Sequence, residues 1–217
     1  MKIVLLGATG PSGNAIIKEA LARSYHITLY ARTTSKLDAS LKSHPNVTVV
    51  EGQLDDETLL RQTIRGHDAV ISVIGPSPQQ PHDHVITDAY KTIFAAMKAE
   101  NVARFIGTGT PSYKDPKDKF QLSLWLAVSF IRIAMPWVYR DVVSYSTLVA
   151  NEKDIEWSWF RLILVNDKPK TGKIVQGYSG DGNLSFGFIR REDLAEIMLD
   201  EITERRWIRQ MPIIHTA

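Results

Sequence analysis

The sequence predicts an α/β protein built on a doubly wound parallel sheet. Segments typical of strands and of helices alternate over the first 110 residues, which is the pattern of a parallel sheet with helices on both faces. A turn with three glycines follows the first apolar strand. The chain has 217 residues, of which 44% are apolar, enough for the core of one domain. We therefore expect a single domain over residues 1–217.

The first half of the chain contains five predicted strands and three predicted helices. The apolar strands are expected at 2–6, 26–32, 46–52, 68–75 and 103–110. The helices are expected at 14–24, 55–64 and 84–101, where apolar residues recur with helical spacing. Right-handed crossovers place the carboxyl ends of all these strands at one edge of the sheet, where ligands bind in such folds.

The second half is less regular. We expect an apolar helix over 117–138 that breaks at Pro136, a further helix over 139–151 and a strand over 157–165. Two alternating runs around GDGN predict a hairpin over 173–189. A helix over 190–203 carries Asp193 in its first turn, and the final WIRQMPII is expected to add an edge strand. Trp157 and Trp159 alternate along one strand, so we expect them to share a packed face.

An apolar stripe runs along the first helix of this second half. It consists of Leu122, Leu124, Trp125, Val128, Ile131 and Met135. The stripe fits a core or pocket wall, a lid, a dimer surface or a membrane-facing helix. We expect the core or pocket wall, because periodic apolar faces usually turn inward.

Composition excludes several classes of protein. The formal net charge of +2 is too small for a nucleic-acid footprint. Without cysteine the chain has no disulfide framework and no thiol nucleophile, which fits a cytoplasmic protein. The most apolar stretch, 122–139, is interrupted by Arg132 and Pro136, so we expect no membrane span. The sequence leaves open whether the protein forms a homodimer.

The stretch GATGPSG at 7–13 lies between the first strand and the first helix. Gly7 allows a sharp exit from the strand, Gly10 allows the backbone to approach a pyrophosphate, and Gly13 allows the helix to pack on the sheet. Pro11 suits the first helical position, where free amides face a phosphate. We expect a dinucleotide here, with Thr9 and Ser12 at the same turn; the alternative is a glycine turn without a ligand.

The end of the second strand indicates which dinucleotide is bound. NAD sites usually place an acid there for the ribose hydroxyl, whereas this strand ends at Arg32, with Lys36 close behind. A guanidinium suits the 2′-phosphate of NADPH. The alternative is that both cations are solvated surface charges.

Several segments together resemble a known family. YARTTSKL, GHDAVISVIGP, NVARFIGTGT, the stretch from MPWVYRD to EWSWFRLILV, and IRREDLAEIMLDEI are similar to the NmrA-like NAD(P)H-binding proteins. These are atypical short-chain dehydrogenases/reductases with a Rossmann fold, akin to NADPH-dependent flavin and biliverdin reductases. The resemblance implies an NADP cofactor and an oxidoreductase activity. It also implies cofactor contacts by Gln53, Leu54, Val73, Ile74, Gly75, Thr108 and Leu164.

The resemblance also locates the substrate side and one departure from the family pattern. Residues 111–138 and 166–189 are expected to form the substrate side. Leu164 and Val165 are aligned with an arginine–proline pair of the family, so we expect the floor of the pocket to differ from that of the family members.

The catalytic tyrosine–lysine pair of ketone-reducing relatives is missing from the expected helix. Tyr139 is followed four residues later by Val143, and Tyr145 by Val149. A flavin-reductase histidine aligns near Ser146 or Thr147. Hydride transfer to a flavin or quinone needs no fixed proton donor, because solvent supplies the proton, so we expect such a small-molecule acceptor.

Three residues at the end of the fifth strand are the candidate catalytic residues. Thr108 and Thr110 take the place of the family's serine, and Tyr113 follows them. They suit either substrate orientation or simple turn chemistry. The main alternative function is a redox-sensing regulator that binds NADP(H) without turnover; a nucleotide-sugar epimerase fits less well, because it also needs the tyrosine–lysine pair.

The motif PHDHV is the one candidate for a metal site. His82 and His84 flank Asp83, but two histidines and one acid are a weak ligand set. We expect no metal, and we interpret Asp83 as a helix N-cap.

Overall fold

The computed structural model describes residues 1–76, 84–182, 184 and 186–217. Its strands are β1 Lys2–Leu6, β2 His26–Ala31, β3 Val47–Glu51, β4 Ala69–Ser72, β5 Arg104–Gly109, β6 Glu156–Leu162, β7 Leu164–Asn166, β8 Ile174–Gly177, β9 Phe188–Arg190 and β10 Ile213–Thr216. Its helices are α1 Pro11–Ala22, α2 Ala39–Lys42, α3 Glu57–Ile64, α4 Val85–Ala99, α5 Leu122–Ala134, α6 Pro136–Asn151 and α7 Arg191–Glu204.

The central sheet has eight strands in the order β3-β2-β1-β4-β5-β6-β10-β8. All pairs are parallel except β10 with β8. The strand order reverses between β1 and β4, and ligands of doubly wound folds bind in the crevice beyond the carboxyl ends at this point. The predicted Rossmann-like fold is confirmed.

Two apolar layers cover the sheet. On one face α3, α4 and α6 pack over a core that contains the rings of Tyr90, Phe105, Tyr145 and Trp159. On the other face α1 and α7 pack together over the strands. Trp157 belongs to the same core as Trp159, as their spacing on the strand predicts.

The first half of the chain follows the predicted elements closely. β4 ends at Ser72 rather than at residue 75, α1 begins at Pro11 rather than at residue 14, and the short helix α2 was not predicted. The predicted helix over 55–64 begins at Glu57, because Asp56 is its N-cap and accepts a hydrogen bond from the Leu59 amide at 2.9 Å.

The hairpin predicted over 173–189 is wrong. β8 pairs antiparallel with β10, while β9 pairs parallel with β7 in a separate two-stranded sheet. The strand predicted over 157–165 is likewise divided into β6 and β7, which belong to different sheets. Alternation identifies a strand but not its partner, and these partners come from distant parts of the chain.

The last strand lies inside the sheet and not at its edge. β10 pairs with β6 on one side and with β8 on the other. β8 therefore forms this edge of the sheet, and the prediction of a final edge strand is wrong.

The expected break at Pro136 is present: α5 ends at Ala134, and Pro136 begins α6. The proline occupies the first turn of α6, where its missing amide costs nothing. Residues 117–121 precede α5 without helical structure, so the helix predicted over 117–138 is shorter at both ends.

The expectation that the stripe faces the core or a pocket wall holds only in part: Val128, Ile131 and Met135 are half-buried, and Met135 packs on the core. Leu124 is the only buried residue of this helix, whereas Leu122 and Trp125 are more than half exposed. Within the described residues, no single helix combines the length and apolar composition needed to cross a bilayer. α5 and α6 reach this length and apolar composition only when they are taken together, and they are bent by 117° relative to each other.

Candidate functional site

The three glycines of the turn after β1 differ in why they are needed. Gly7 has a φ of +89°, and a Cβ there would lie 3.1 Å from the backbone of Val73. A Cβ at Gly13 would lie 2.3 Å from the carbonyl oxygen of Gly7. At Gly10, the nearest atom to an added Cβ is 3.5 Å away, an ordinary contact. The fold therefore demands Gly7 and Gly13, while the space above Gly10 is open.

The amino terminus of α1 presents free donors to this open space. No side chain caps the helix, and Pro11 occupies its first turn. The Asn14 amide donates to the carbonyl of Gly10 at 3.0 Å. Among the described residues, nothing accepts from the amides of Ser12 and Gly13. These amides and the positive end of the helix dipole form an anion site; the side chain of Thr9 belongs to the same turn.

Arg32 follows β2 directly, with its side chain exposed. No acidic side chain of the described chain forms an ion pair with Arg32 or with Lys36, which lies in the short turn Thr34–Lys36. The nearby acid, Glu51, instead accepts from the amide of Thr34 at 2.9 Å and from its hydroxyl. These hydrogen bonds hold the pKa of Glu51 below its usual value. The guanidinium of Arg32 is thus available to a ligand.

Tyr30 fixes the loop that follows β3, a role that the sequence analysis missed. Its phenol donates to the carbonyl of Gln53 at 2.6 Å. Burial, with the charges of Asp56 and Asp55, raises the pKa of Tyr30 to about 12, so the phenol keeps its proton. A Cβ at Gly52 would lie 2.4 Å from the phenol oxygen. The contact holds the backbone beside Leu54, whose side chain packs on the core.

The segment after β4 borders the glycine turn. The Val73 amide donates to the carbonyl of Leu6 at 3.1 Å, and Ile74 packs half-buried on the core. No atom lies within 4 Å of the position of a Cβ at Gly75. Val73, Ile74 and Gly75 therefore lie on the β4 side of the crevice, opposite the turn after β1.

His82 and Asp83 lie outside the described residues, so the N-cap prediction for Asp83 stays a prediction. The described part of the chain contains no group of three or more potential metal ligands. The first turn of α4 receives a remote cap: the buried carboxylate of Asp141 accepts from the amides of Ile86 and Thr87, each at 3.1 Å.

The candidate residues after β5 lie in a tight turn. Thr108 is buried at the end of the strand. The Thr110 hydroxyl accepts from the Ser112 amide at 3.2 Å, and the Thr110 carbonyl accepts from the Tyr113 amide. Thr110 thus has a turn role. Tyr113 is half-buried, and desolvation, followed by the charge of Asp115, raises its pKa, so its phenol stays protonated.

A buried ion pair organises the region expected to form the substrate side, and the sequence analysis missed it. Arg161 is fully buried in β6 and makes two hydrogen bonds to Asp118, at 2.5 and 2.9 Å. Arg161 also donates to the carbonyl of Tyr113, and Asp118 accepts from the amide of Ser179 at 3.1 Å. The pair joins β6, the loop after β5 and the turn after β8.

The structure places Leu164 outside the central sheet. Leu164 is 39% exposed and begins β7, which pairs with β9 in the separate two-stranded sheet. The equivalence of Leu164 and Val165 with the arginine–proline pair, and the cofactor contact inferred for Leu164, stay predictions.

Among the described residues, the ammonium of Lys117 donates to the phenol oxygen of Tyr178 at 3.4 Å, and desolvation nevertheless raises the pKa of Tyr178. Tyr145 is buried in the aromatic core, and burial raises its pKa. In the whole sequence, one tyrosine, Tyr113, is followed four residues later by a lysine, Lys117. The ammonium of Lys117 donates to the side chain of Gln210 at 2.8 Å. Ser146, near the aligned histidine position, is buried, and its hydroxyl lacks a partner among the described residues.

Comparison with known proteins identifies the family. A family model described as NAD(P)H-binding matches residues 7–205, so the chain belongs to this family. Uncharacterized protein YwnB of Bacillus subtilis is 31% identical over 109 residues, which cover 50% of this chain and 47% of that protein. Oxidoreductase aflX of Aspergillus parasiticus is 33% identical over 101 residues, covering 45% and 38%. These matches span about half or less of the relatives' length.

Solved structures show the same fold at low identity. A short-chain dehydrogenase/reductase from Veillonella parvula, in complex with NADP, superposes with a TM-score of 0.79 at 19% identity, covering 99% of this chain and 94% of that one. ChuY, described as an anaerobilin reductase from Escherichia coli O157:H7, gives a TM-score of 0.77 at 17% identity, covering 99% and 97%.

Proposed function

We propose that the protein is an NADPH-dependent oxidoreductase that passes a hydride to a flavin, a quinone or a similar small acceptor. The observation that carries the proposal is the open space at Gly10. The fold itself gives no steric reason for a glycine there, because an added Cβ would meet nothing closer than 3.5 Å. A bound pyrophosphate supplies such a reason, since the backbone must approach it closely.

The dinucleotide is proposed to lie across the carboxyl edge, from Arg32 to Thr108. The amides of Ser12 and Gly13 bind the pyrophosphate, while Arg32 and Lys36 bind the 2′-phosphate. Leu54 and the segment Val73–Gly75 contact the adenosine and the linking ribose. When bound, the dinucleotide supplies the hydride; the chain binds and orients both reactants.

The acceptor class follows from the side chains near the crevice. Reduction of a ketone needs a positioned proton donor, commonly a tyrosine made more acidic by a lysine. In this chain Tyr145 lies in the core with a raised pKa. Lys117 donates to Gln210 at 2.8 Å and to Tyr178 at 3.4 Å, and desolvation keeps the pKa of Tyr178 raised. An electron-poor ring takes the hydride without such a donor and takes its proton from solvent. Thr108 and Tyr113 are proposed to orient the ring, and the loop that carries Tyr113 is fixed by Arg161.

A second candidate is a redox-sensing regulator that binds NADP(H) without turnover. The lack of a lysine four residues after Tyr139 or Tyr145 in α6 favours it. Both candidates need the dinucleotide site, and they differ only in whether an acceptor reaches it.

Steady-state oxidation of NADPH with a panel of FMN, FAD and soluble quinones tests the choice. We expect turnover with at least one acceptor, and we expect Tyr139→Phe and Tyr145→Phe to stay within about threefold of the native rate. Removal of a true general acid typically costs about 10²–10⁴ in rate. A loss of that size in either folded variant would contradict the mechanism. Tight NADPH binding without turnover would favour the regulator.

A further inference from the structure

The outward face of α5 is apolar, which distinguishes it from an ordinary surface helix. The exposed fraction is 67% for Phe130 and 82% for Ile133. Leu122, Trp125 and Leu126 are each at least 55% exposed. On the opposite side of the helix, Leu124 is buried against Leu184 and Ile213. The helix is thus anchored by one face and presents large apolar side chains on the other.

The five exposed side chains form one continuous surface. At 100° per residue, they fall within an arc of about 140°, centred nearly opposite Leu124. This arc is where a helix packed on a protein normally carries polar residues. We call it the α5 face: Leu122, Trp125, Leu126, Phe130 and Ile133. An exposed apolar patch of this kind marks a surface that binds something.

The charged residues of α5 and of the segments that flank it in sequence are all positive. Residues 119–140 contain Lys119, Arg132 and Arg140 but no acidic residue. An acidic residue lies at each end of this segment, and both point into the protein. Asp118 pairs with Arg161 in the interior, and Asp141 is buried against the first turn of α4. Apolar and aromatic side chains flanked by cations are typical of helices that lie in the interface of an anionic membrane.

We propose that the α5 face binds the surface of an anionic phospholipid bilayer, with α5 in the plane of the membrane. The apolar side chains insert among the acyl chains, and the cations contact the headgroups. Trp125 lies at the level of the headgroups, where tryptophan is favoured. The proposal is independent of the dinucleotide site and of the acceptor.

Binding to vesicles tests this proposal directly. The native protein is expected to co-sediment with vesicles of phosphatidylglycerol and phosphatidylcholine, and to bind pure phosphatidylcholine more weakly. Raised salt is expected to reduce the binding, because it screens the headgroup charge. Replacing both Phe130 and Ile133 by Gln is expected to lower the partition coefficient at least about tenfold. The matched control is Val85→Gln, which changes an exposed apolar residue on α4 and should bind like the native protein.

Vesicles with brominated acyl chains measure insertion. Bromine is expected to quench part of the native fluorescence, and Trp125→Phe should remove that part while the protein stays bound. The proposal is overturned if the native protein does not bind phosphatidylglycerol vesicles, or if the double variant binds as well as the Val85→Gln control. It is also overturned if sedimentation equilibrium shows a native dimer that the double variant dissociates, since a second copy then covers the face.

Discussion

At the scale of single residues, the glycine turn separates the requirements of the fold from those of a ligand. Gly13 lies against the backbone of the turn, whereas Gly10 borders open space. The backbone at Gly10 has φ −85° and ψ 164°, a conformation that any residue adopts. Two positions in the same motif thus give opposite expectations for the same substitution.

Gly10→Val is expected to fold normally and to bind NADPH at least about tenfold more weakly, because the side chain blocks the approach of the pyrophosphate. Gly13→Val is expected to prevent stable folding, because its Cβ would collide with the Gly7 carbonyl oxygen. Circular dichroism and NADPH titration of the two variants check both statements. Native affinity in Gly10→Val would show that no phosphate lies there.

The residues that sequence reasoning missed are those whose roles depend on distant partners. Gly10 is identified as a candidate site residue by a local motif, and Arg32 is identified by its position at the end of a strand. Tyr30 contacts Gln53 from 23 residues away, and Arg161 contacts Asp118 from 43 residues away. The sequence around Arg161 does not indicate which residue it pairs with. Its burial becomes evident only when the position of the loop after β5, which carries Asp118, is known.

At the scale of elements, the sequence identifies the strands better than their partners. The parallel strands β1 to β6 follow from apolar runs between helices, because each crossover fixes the next neighbour. β8 and β10 pair although a segment that includes α7 lies between them in the chain. No local sequence pattern indicates this pairing. Leu122 and Trp125 were assigned to the interior for a related reason: α5 is apolar on both faces, and periodicity does not show which apolar residues the protein covers.

The contact between α3 and α4 gives a pH-dependent prediction. Glu100, just after α4, pairs with Arg65 and Arg61 of the α3 region. Hydrogen bonds from Arg65, then Arg61, lower the pKa of Glu100 from 4.5 to about 2. Because the folded pKa is the lower one, the stabilisation is present above pH 4.5 and is lost as the pH falls toward 2.

Urea unfolding of the native protein and of Glu100→Gln measures this effect. The native protein should be the more stable of the two at pH 5.5, and the difference should shrink at pH 3. A difference in unfolding free energy that stays constant between these pH values would exclude Glu100 as the titrating group.

At the scale of the whole molecule, the sheet brings the separate parts of the site to one edge. The glycine turn follows β1, Arg32 follows β2, Leu54 follows β3, Val73 follows β4 and Thr110 follows β5. Residues 7 to 110 are brought together because parallel strands share a carboxyl edge. The fold and the placement of the candidate cofactor residues at this edge therefore follow from the sequence, while the region expected to form the substrate side depends on the less regular second half.

The measurement that tests the account most directly is calorimetric titration of NADPH and NADH. A hydrogen bond to a charged group contributes about 1.5–3 kcal/mol, so Arg32→Ala should weaken NADPH binding by roughly 10- to 150-fold. NADH lacks the 2′-phosphate, and its affinity should stay unchanged. Arg206→Ala, which removes an exposed arginine next to Glu204, is the matched control and should bind both nucleotides like the native protein. Equal weakening of NADPH and NADH by Arg32→Ala, or a native preference for NADH, would contradict the account.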